Sequence, residues 1–284
     1  MTSGNFRIII TTEIGPRIIG GFVGNNPHNI FNVDPELAGK KGGEKWVNYG
    51  GHRLWHSPED KIRSYMPDNS PIDVSVDEDG CVSFIQDEPA LTGIRKIITI
   101  AAIDNNCFAV SHTLQNNNLW PIVCAPWAIS VMAKGGIAIV PNNKATEGLL
   151  PTKFFAVWPY TKLNDPRITW GQKFILVKQD ASPRIKPLKI GINCEEGWIS
   201  YLNNGIAFTK MMAYDINDVY PDNNCNIEVY TCKDMLEAET LGALQEIPSG
   251  DAITHNEVWN AFETSKTIQS EKDVSAVFKD TLKI

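Results

Sequence analysis

The sequence predicts an antiparallel all-β sandwich closed by a short C-terminal helix. Three observations carry this reading. Short alternating runs of apolar and polar residues recur along the 284 residues. Clusters of Gly, Asn, Asp and Pro separate them, and only the tail has helical spacing.

In chain order, strands are expected at 6–12, 17–23, 72–76 and 81–86. The next run alternates Ile94, Lys96, Ile98 and Ile100 as far as Ile103. After it, Phe108, Val110 and Leu114 face one way, while Ala109, Ser111 and Thr113 face the other. Asp104-Asn105-Asn106 between these two runs reads as a hairpin turn. Strands follow at 121–133, 136–140 and 173–179. Gly197 to Leu202 and Ile206 to Met212 flank Asn203-Asn204-Gly205, and Asn-Gly supplies the positive φ angles that a tight hairpin needs. Runs at 226–233 and 252–262 complete the set. In the tail, Ser270 and Asp273 form a capping box ahead of an apolar stripe of Val274, Val277 and Phe278. Residues 24–70 and 141–172 look irregular, and long irregular segments in a compact β domain usually carry function.

Composition narrows the function classes. Hydrophobic residues make up 43% and charged residues 21%, a globular balance. One domain spanning 1–284 is expected, large enough to bury its core without staples. The net charge is −7 and no basic run occurs, which argues against nucleic acid or an anionic membrane as partner. No apolar stretch approaches the roughly 20 residues of a spanning helix. Strand-like sequence begins at Phe6, with no basic and apolar leader before it; one reading of that abrupt start is a missing strand ahead of it. The six cysteines are scattered, with no CxxC, and read as reduced residues of a cytoplasmic protein.

The richest segment for chemistry is Gly50-Gly51-His52-Arg53-Leu54-Trp55-His56-Ser57-Pro58-Glu59. His52 and His56 are four apart, which on a helix would suit a metal. The glycine pair, Pro58 and the lack of an HExxH glutamate speak against that. The favoured reading is a loop lining a pocket with donors, a stacking ring and an acid or base; the bland one is a loop tied down by its own hydrogen bonds. In Met235-Leu236-Glu237-Ala238-Glu239-Thr240-Leu241-Gly242, strand alternation puts Glu237 and Glu239 on one face. Neighbouring carboxylates repel, so one can keep its proton near neutral pH, which suits acid–base work unless the face is solvated. Trp158-Pro159-Tyr160 through Asp165-Pro166-Arg167 offers rings for sugar C–H faces and charges for hydroxyls. Trp127 is a further platform or a core ring. Lys189 and Lys210 lie within apolar strands and must reach water, an anion or a glutamate. No nucleotide-binding or serine-nucleophile motif occurs.

These segments, with Gly15-Pro16-Arg17-Ile18, Ala125-Pro126-Trp127-Ala128 and Lys189-Ile190-Gly191, resemble the bacterial mutarotase-like proteins grouped with galactose mutarotase (aldose 1-epimerase). GHRLWHSPE is the most specific of them, and the pieces run in order over nearly the whole chain. The resemblance implies a β-supersandwich with a sugar-binding concave face, and so a small-molecule carbohydrate as partner; neither a cofactor nor a metal is expected. Galactose mutarotases carry a catalytic His in an Asn-His-aromatic motif; the counterpart region here reads Cys124-Ala125-Pro126-Trp127. The implied base is Glu237 or Glu239, with the acid supplied by His52 or His56. Arg53, Glu59, Asp165, Arg167, Lys189 and Lys210 would orient hydroxyls, and Trp55, Trp127 or Tyr160 would stack. An epimerase-like isomerase is the leading expectation. A non-catalytic sugar-binding module and a sugar lyase or hydrolase are the alternatives.

Overall fold

The computed structural model describes residues 1–103, 105–144 and 147–282. Two ten-stranded antiparallel sheets pack face to face. The first runs, neighbour to neighbour, through Thr2–Ser3, Phe6–Thr11, Arg17–Val23, Gly51–Ser57, Ile122–Met132, Leu236–Leu241, Ile227–Thr231, Leu188–Ile192 and Phe155–Val157. Gln245–Ile247 pairs with the outer end of Ile122–Met132. The second runs through Ile168–Trp170, Phe174–Lys178, Ile137–Pro141, Trp198–Asn203, Ile206–Met212, Ala252–Glu263, Cys107–Asn116, Ile94–Ile103, Val82–Ile85 and Asp73–Val76.

Alternation does what the sequence promises in the second sheet. In Cys107–Asn116 the buried residues are Phe108, Val110, His112, Leu114 and Asn116, every second position. The inward faces meet in a core where Phe6 packs edge-on to Phe108 at 5.3 Å and Phe208 to Trp259 at 5.2 Å. Such pairs contribute about 0.5–1.5 kcal/mol each beyond their buried area. Asn204 and Gly205 sit at φ 49° and 74°, the left-handed pair of the expected hairpin. In the other hairpin Asn105 and Asn106 are also left-handed, at φ 63° and 61°; Asp104 lies outside the described residues. The C-terminal helix, Glu271–Leu282, begins where Asp273 accepts from the backbone and hydroxyl of Ser270. Its Val274, Val277 and Phe278 are buried against Phe174 and Trp198 on the outer face of the second sheet. No described helix is long and apolar enough to cross a membrane.

One expectation is corrected. The segment 51–57 is a strand inside the first sheet, not a loop. All seven of its residues are buried, so the polar–apolar alternation that marks a half-exposed strand is absent. The glycine pair that suggested a loop serves the entry to the strand. Gly50 and Gly51 have φ of 80° and 70°, and a Cβ on them would collide with the carbonyls of Asn32 and Ile18.

Candidate functional site

The site is built by register. Ile122–Met132 is flanked on one side by Gly51–Ser57, with Arg53 opposite Ile129 and Trp55 opposite Trp127. On its other side lies Leu236–Leu241, with Glu237 opposite Val131 and Glu239 opposite Ile129. Directly paired residues share a face. The next strands extend that face, placing Glu228 opposite Glu239, Tyr230 opposite Glu237 and Lys189 opposite Tyr230. Arg53, Trp55, Trp127, Glu237, Glu239, Glu228, Tyr230 and Lys189 therefore all project from the outer face of the first sheet.

Loops wall this face into a cavity of about 240 Å³. Drug-sized ligands occupy roughly 300–1,000 Å³, so this space suits one small ring. Trp46, Trp55, Trp127, Tyr65, Tyr160 and Tyr230 supply aromatic wall, and Arg53, Lys189, Glu59 and Glu237 supply charge. Trp55 stands edge-on to Trp127 at 5.6 Å and to Trp46 at 5.3 Å. Glu59 sits at the exposed rim, its carboxylate accepting from the Tyr65 hydroxyl at 2.7 Å. A larger cavity of about 410 Å³ lies beside residues 264–268, but among the described residues no carboxylate, histidine or indole lines it. Size alone does not mark the site; convergent charged groups do.

Two ion-pair groups organise the cavity. Arg53 donates from Nη2 to Glu237 Oε1 at 2.9 Å and lies over the Trp55 ring at 4.6 Å. Lys189 reaches Glu228 Oε2 at 2.6 Å and Glu239 Oε2 at 3.0 Å, and sits 4.5 Å from the centre of the Trp127 ring. The Trp127 indole donates to Glu239 Oε2 at 2.7 Å. Both late glutamates share the cavity face, but their depths differ. The Glu237 side chain is 11% exposed and lines the cavity. Glu239 is fully buried behind Trp127 and Lys189. Burial raises the Glu237 carboxyl above its ordinary value, with Arg53 opposing and Glu239 adding to the rise. Burial likewise pushes Glu228 well up, against Lys189. For Lys189, burial works against the charge, but Glu239 and Glu228 outweigh it and hold the ammonium above its ordinary value. Burial pushes the Tyr160 hydroxyl up to about 12.

Other expected site residues lie elsewhere. His52 and His56 alternate with Arg53 and Trp55, so both point away from the cavity into the space between the sheets, where they are buried. Asp165 and Arg167 form a bidentate pair with each other, and Arg167 also donates to the Lys186 carbonyl at 2.7 Å. They do not line the cavity. Lys210 belongs to the second sheet, where it pairs with Glu257 Oε1 of the neighbouring strand at 3.0 Å, and it reaches across the core to the Ala128 carbonyl at 2.8 Å.

Between the sheets His52 and Lys210 join a polar network with His112, His255 and Glu257, whereas both ring nitrogens of His56 are buried without a partner among the described residues. Nδ1 of His112 meets the His255 carbonyl at 3.2 Å, so it must carry the proton. Its Nε2 is then an acceptor for His52 Nε2–H at 2.7 Å, and His52 Nδ1 accepts from the Ser130 hydroxyl at 2.9 Å. Glu257 accepts from Thr240, from Trp259 Nε1 at 2.7 Å and from Lys210. His52, His112 and Glu257 bring ligand atoms within 4.8 Å of one another, but the hydrogen bonds already engage them and the Lys210 ammonium stands where a second cation would be repelled.

Burial chiefly holds His112 at about 4 and His255 at about 3, and His52 well below its ordinary value. His56, also depressed chiefly by burial, sits at about 3. The unfolded chain takes up these protons near 6.5, so below that pH it binds more protons than the folded state. The stability that these neutral histidines contribute is therefore intact above pH 6.5 and falls as pH drops toward 4 and 3. Keeping His112 neutral costs about 3 kcal/mol at full acidification. The raised Glu237 and Glu228 carboxyls act in the opposite direction, so the test is a comparison: urea midpoints of His112→Gln are expected to decline less between pH 6.5 and 4.5 than those of the wild type, and an equal decline would contradict the neutral network.

Trp46, Tyr65, Glu228 and Tyr230 belong to no motif that the sequence offers. Trp46 and Tyr65 lie in the irregular stretch 24–70. Glu228 and Tyr230 were legible in principle: they alternate with Ile227 and Val229, one hairpin away from the paired glutamates.

No protein-family model matches the chain, and no curated protein matches it by sequence. Solved structures do match by shape. A galactose mutarotase-like protein from Lactobacillus casei superposes with a TM-score of 0.62 at 11% identity, covering 92% of this chain and 99% of that one. A candidate aldose 1-epimerase from Escherichia coli K12 gives 0.58 at 9%, covering 93% and 98%. A galactose mutarotase-like protein from Clostridium acetobutylicum gives 0.54 at 8%, covering 93% and 94%. The likeness extends to the fold: two large antiparallel sheets packed as a β-supersandwich, as the sequence resemblance implied.

Proposed function

We propose that this galactose mutarotase-like fold binds one sugar ring in the cavity of Arg53, Trp127 and Glu237 and interconverts its anomers by acid–base chemistry. The observation that carries the reading is Glu237, a buried carboxyl of raised proton affinity that lines an aromatic, ring-sized cavity shared with the Lys189 ammonium. Tryptophan and tyrosine rings suit the C–H faces of a sugar.

The chemistry needs two groups. Glu237 takes the proton of the anomeric hydroxyl as the bond between the anomeric carbon and ring oxygen breaks. Lys189 spends two N–H bonds on Glu228 and Glu239, and its third protonates the ring oxygen as it becomes an alkoxide. The bond beside the carbonyl rotates, the ring closes on the other face, and both protons return. Glu239 and Trp127 act behind this pair by holding Lys189 in place. His52 and His56, on the far side of the sheet, take no part.

A second reading, sugar binding without turnover, is favoured by one observation: no histidine lines the cavity. Exchange spectroscopy by NMR separates the two. With a panel of aldoses and uronic acids at equilibrium, the protein is expected to speed exchange between anomers above the buffer rate. Binding with unchanged exchange supports the second reading, and no binding by any member of the panel removes both.

A further inference from the structure

Three of the side chains that line the cavity carry buried donors without acceptors. Trp46 Nε1, Trp55 Nε1 and two nitrogens of Arg53, Nε and Nη1, are buried and have no hydrogen-bond partner among the described residues. All three side chains line the cavity. They form one cluster: the guanidinium lies 4.6 Å from the centre of the Trp55 ring and 5.5 Å from that of Trp46. Asn48, also on the lining, spends its amide N–H only on the sulfur of Met235, at 3.5 Å. A buried donor without an acceptor costs about 1–3 kcal/mol, so this cluster is built for something that brings lone pairs and no protons.

A sugar hydroxyl fits poorly, because each brings a proton that needs its own acceptor here. A carboxylate fits, with about four lone-pair sites and no donor. Resting on the sugar-binding reading above, we propose that the ligand is a sugar acid, with its carboxylate docked on Arg53 between Trp46 and Trp55. Arg53 then bridges two carboxylates, Glu237 through Nη2 and the ligand through its remaining donors. The ring chemistry agrees. In a hexuronic acid the carboxylate-bearing carbon and the anomeric carbon flank the same ring oxygen, so seating the carboxylate on Arg53 brings the anomeric hydroxyl to the neighbourhood of Glu237. The ligand's charge also strengthens Glu237 as a base, because a nearby negative charge raises its proton affinity. The other cation, Lys189, already answers two carboxylates, Glu228 and Glu239, and its remaining N–H is the one assigned to the ring oxygen, so Arg53 and not Lys189 takes the carboxylate.

Calorimetric titration of the whole protein with galacturonate, glucuronate, galactose and glucose tests this. A uronate is expected to bind at least about tenfold tighter than its parent hexose, the worth of one charge-assisted hydrogen bond. That preference should shrink toward unity in Arg53→Lys, which keeps charge but loses the fork, and weaken in Trp55→Phe, which keeps a ring but loses the N–H. A parent hexose binding as tightly as its uronate overturns the sugar-acid assignment and leaves the isomerase reading standing. A uronate bound preferentially but not exchanged between anomers does the reverse. The wild-type comparison decides the matter even if a variant fails to fold.

Discussion

Replacing Glu237 by Gln is expected to lower catalysed anomer exchange by about 10²–10⁴-fold, the usual contribution of a positioned acid–base group. Glutamine preserves the shape and the contact with Arg53, so ligand affinity should change far less than turnover. The effect is assigned to Glu237 because its side chain reaches the cavity, whereas Glu239 is fully buried behind Trp127 and Lys189. Glu239→Gln should act indirectly, by weakening the hold on Lys189, with a smaller loss. Because burial raises the Glu237 carboxyl above its ordinary value of 4.5, exchange should rise with pH as that group ionises, along a limb displaced above 4.5 that vanishes in the Gln variant. Exchange rates of both variants from pH 4.5 to 8 check this. A larger loss in Glu239→Gln than in Glu237→Gln would reverse the roles.

The second large effect concerns stability. Lys210→Met should cost about 3–5 kcal/mol, the range for removing one partner of a buried ion pair. Lys210 and Glu257 are almost wholly inaccessible and 3.0 Å apart. Burial works against the Glu257 charge, but Lys210, joined by His112, His255 and the Thr240 hydroxyl, outweighs it and holds the carboxyl at about 2, so removal of the ammonium takes away the largest of the groups that support a buried ionised carboxylate. Lys210 also donates to the carbonyls of Ala128 and Ala238, neighbours of Trp127, Glu237 and Glu239. Loss of stability should therefore be accompanied by loosening of the cavity floor. Urea unfolding of Lys210→Met, Glu257→Gln and the double variant measures the coupling. If the single losses simply add, the two groups are not paired.

Much of this architecture was legible because alternation is a local signal. The strands at 94–103, 107–116 and 206–212, the Asn-Gly hairpin and the capped tail helix each announce themselves within a dozen residues. The site was legible in part, for the same reason. Glu237 and Glu239 share a face because strand geometry demands it, and Arg53 and Trp55 share one two residues apart. What was not legible is which face of Gly51–Ser57 looks outward. With both sides covered, the strand has no polar face to read, so His52 and His56 stood as equal candidates beside Arg53 and Trp55. Pairing with Ile122–Met132 settles the matter, and that is a contact between residues some 70 positions apart. Lys210 misled differently: a lone lysine in an apolar strand can serve a pocket or a core network, and the partner that decides, Glu257, belongs to another strand. Asp165 and Arg167 satisfy each other within three residues, which removes them from a ligand's reach.

A crystal soaked with a hexuronic acid is expected to show one ring enclosed by Trp46, Trp55 and Trp127, its carboxylate on Arg53 and its anomeric hydroxyl within hydrogen-bond reach of Glu237. Ligand density confined to the larger cavity beside residues 264–268, with the aromatic cavity unchanged, would contradict this placement.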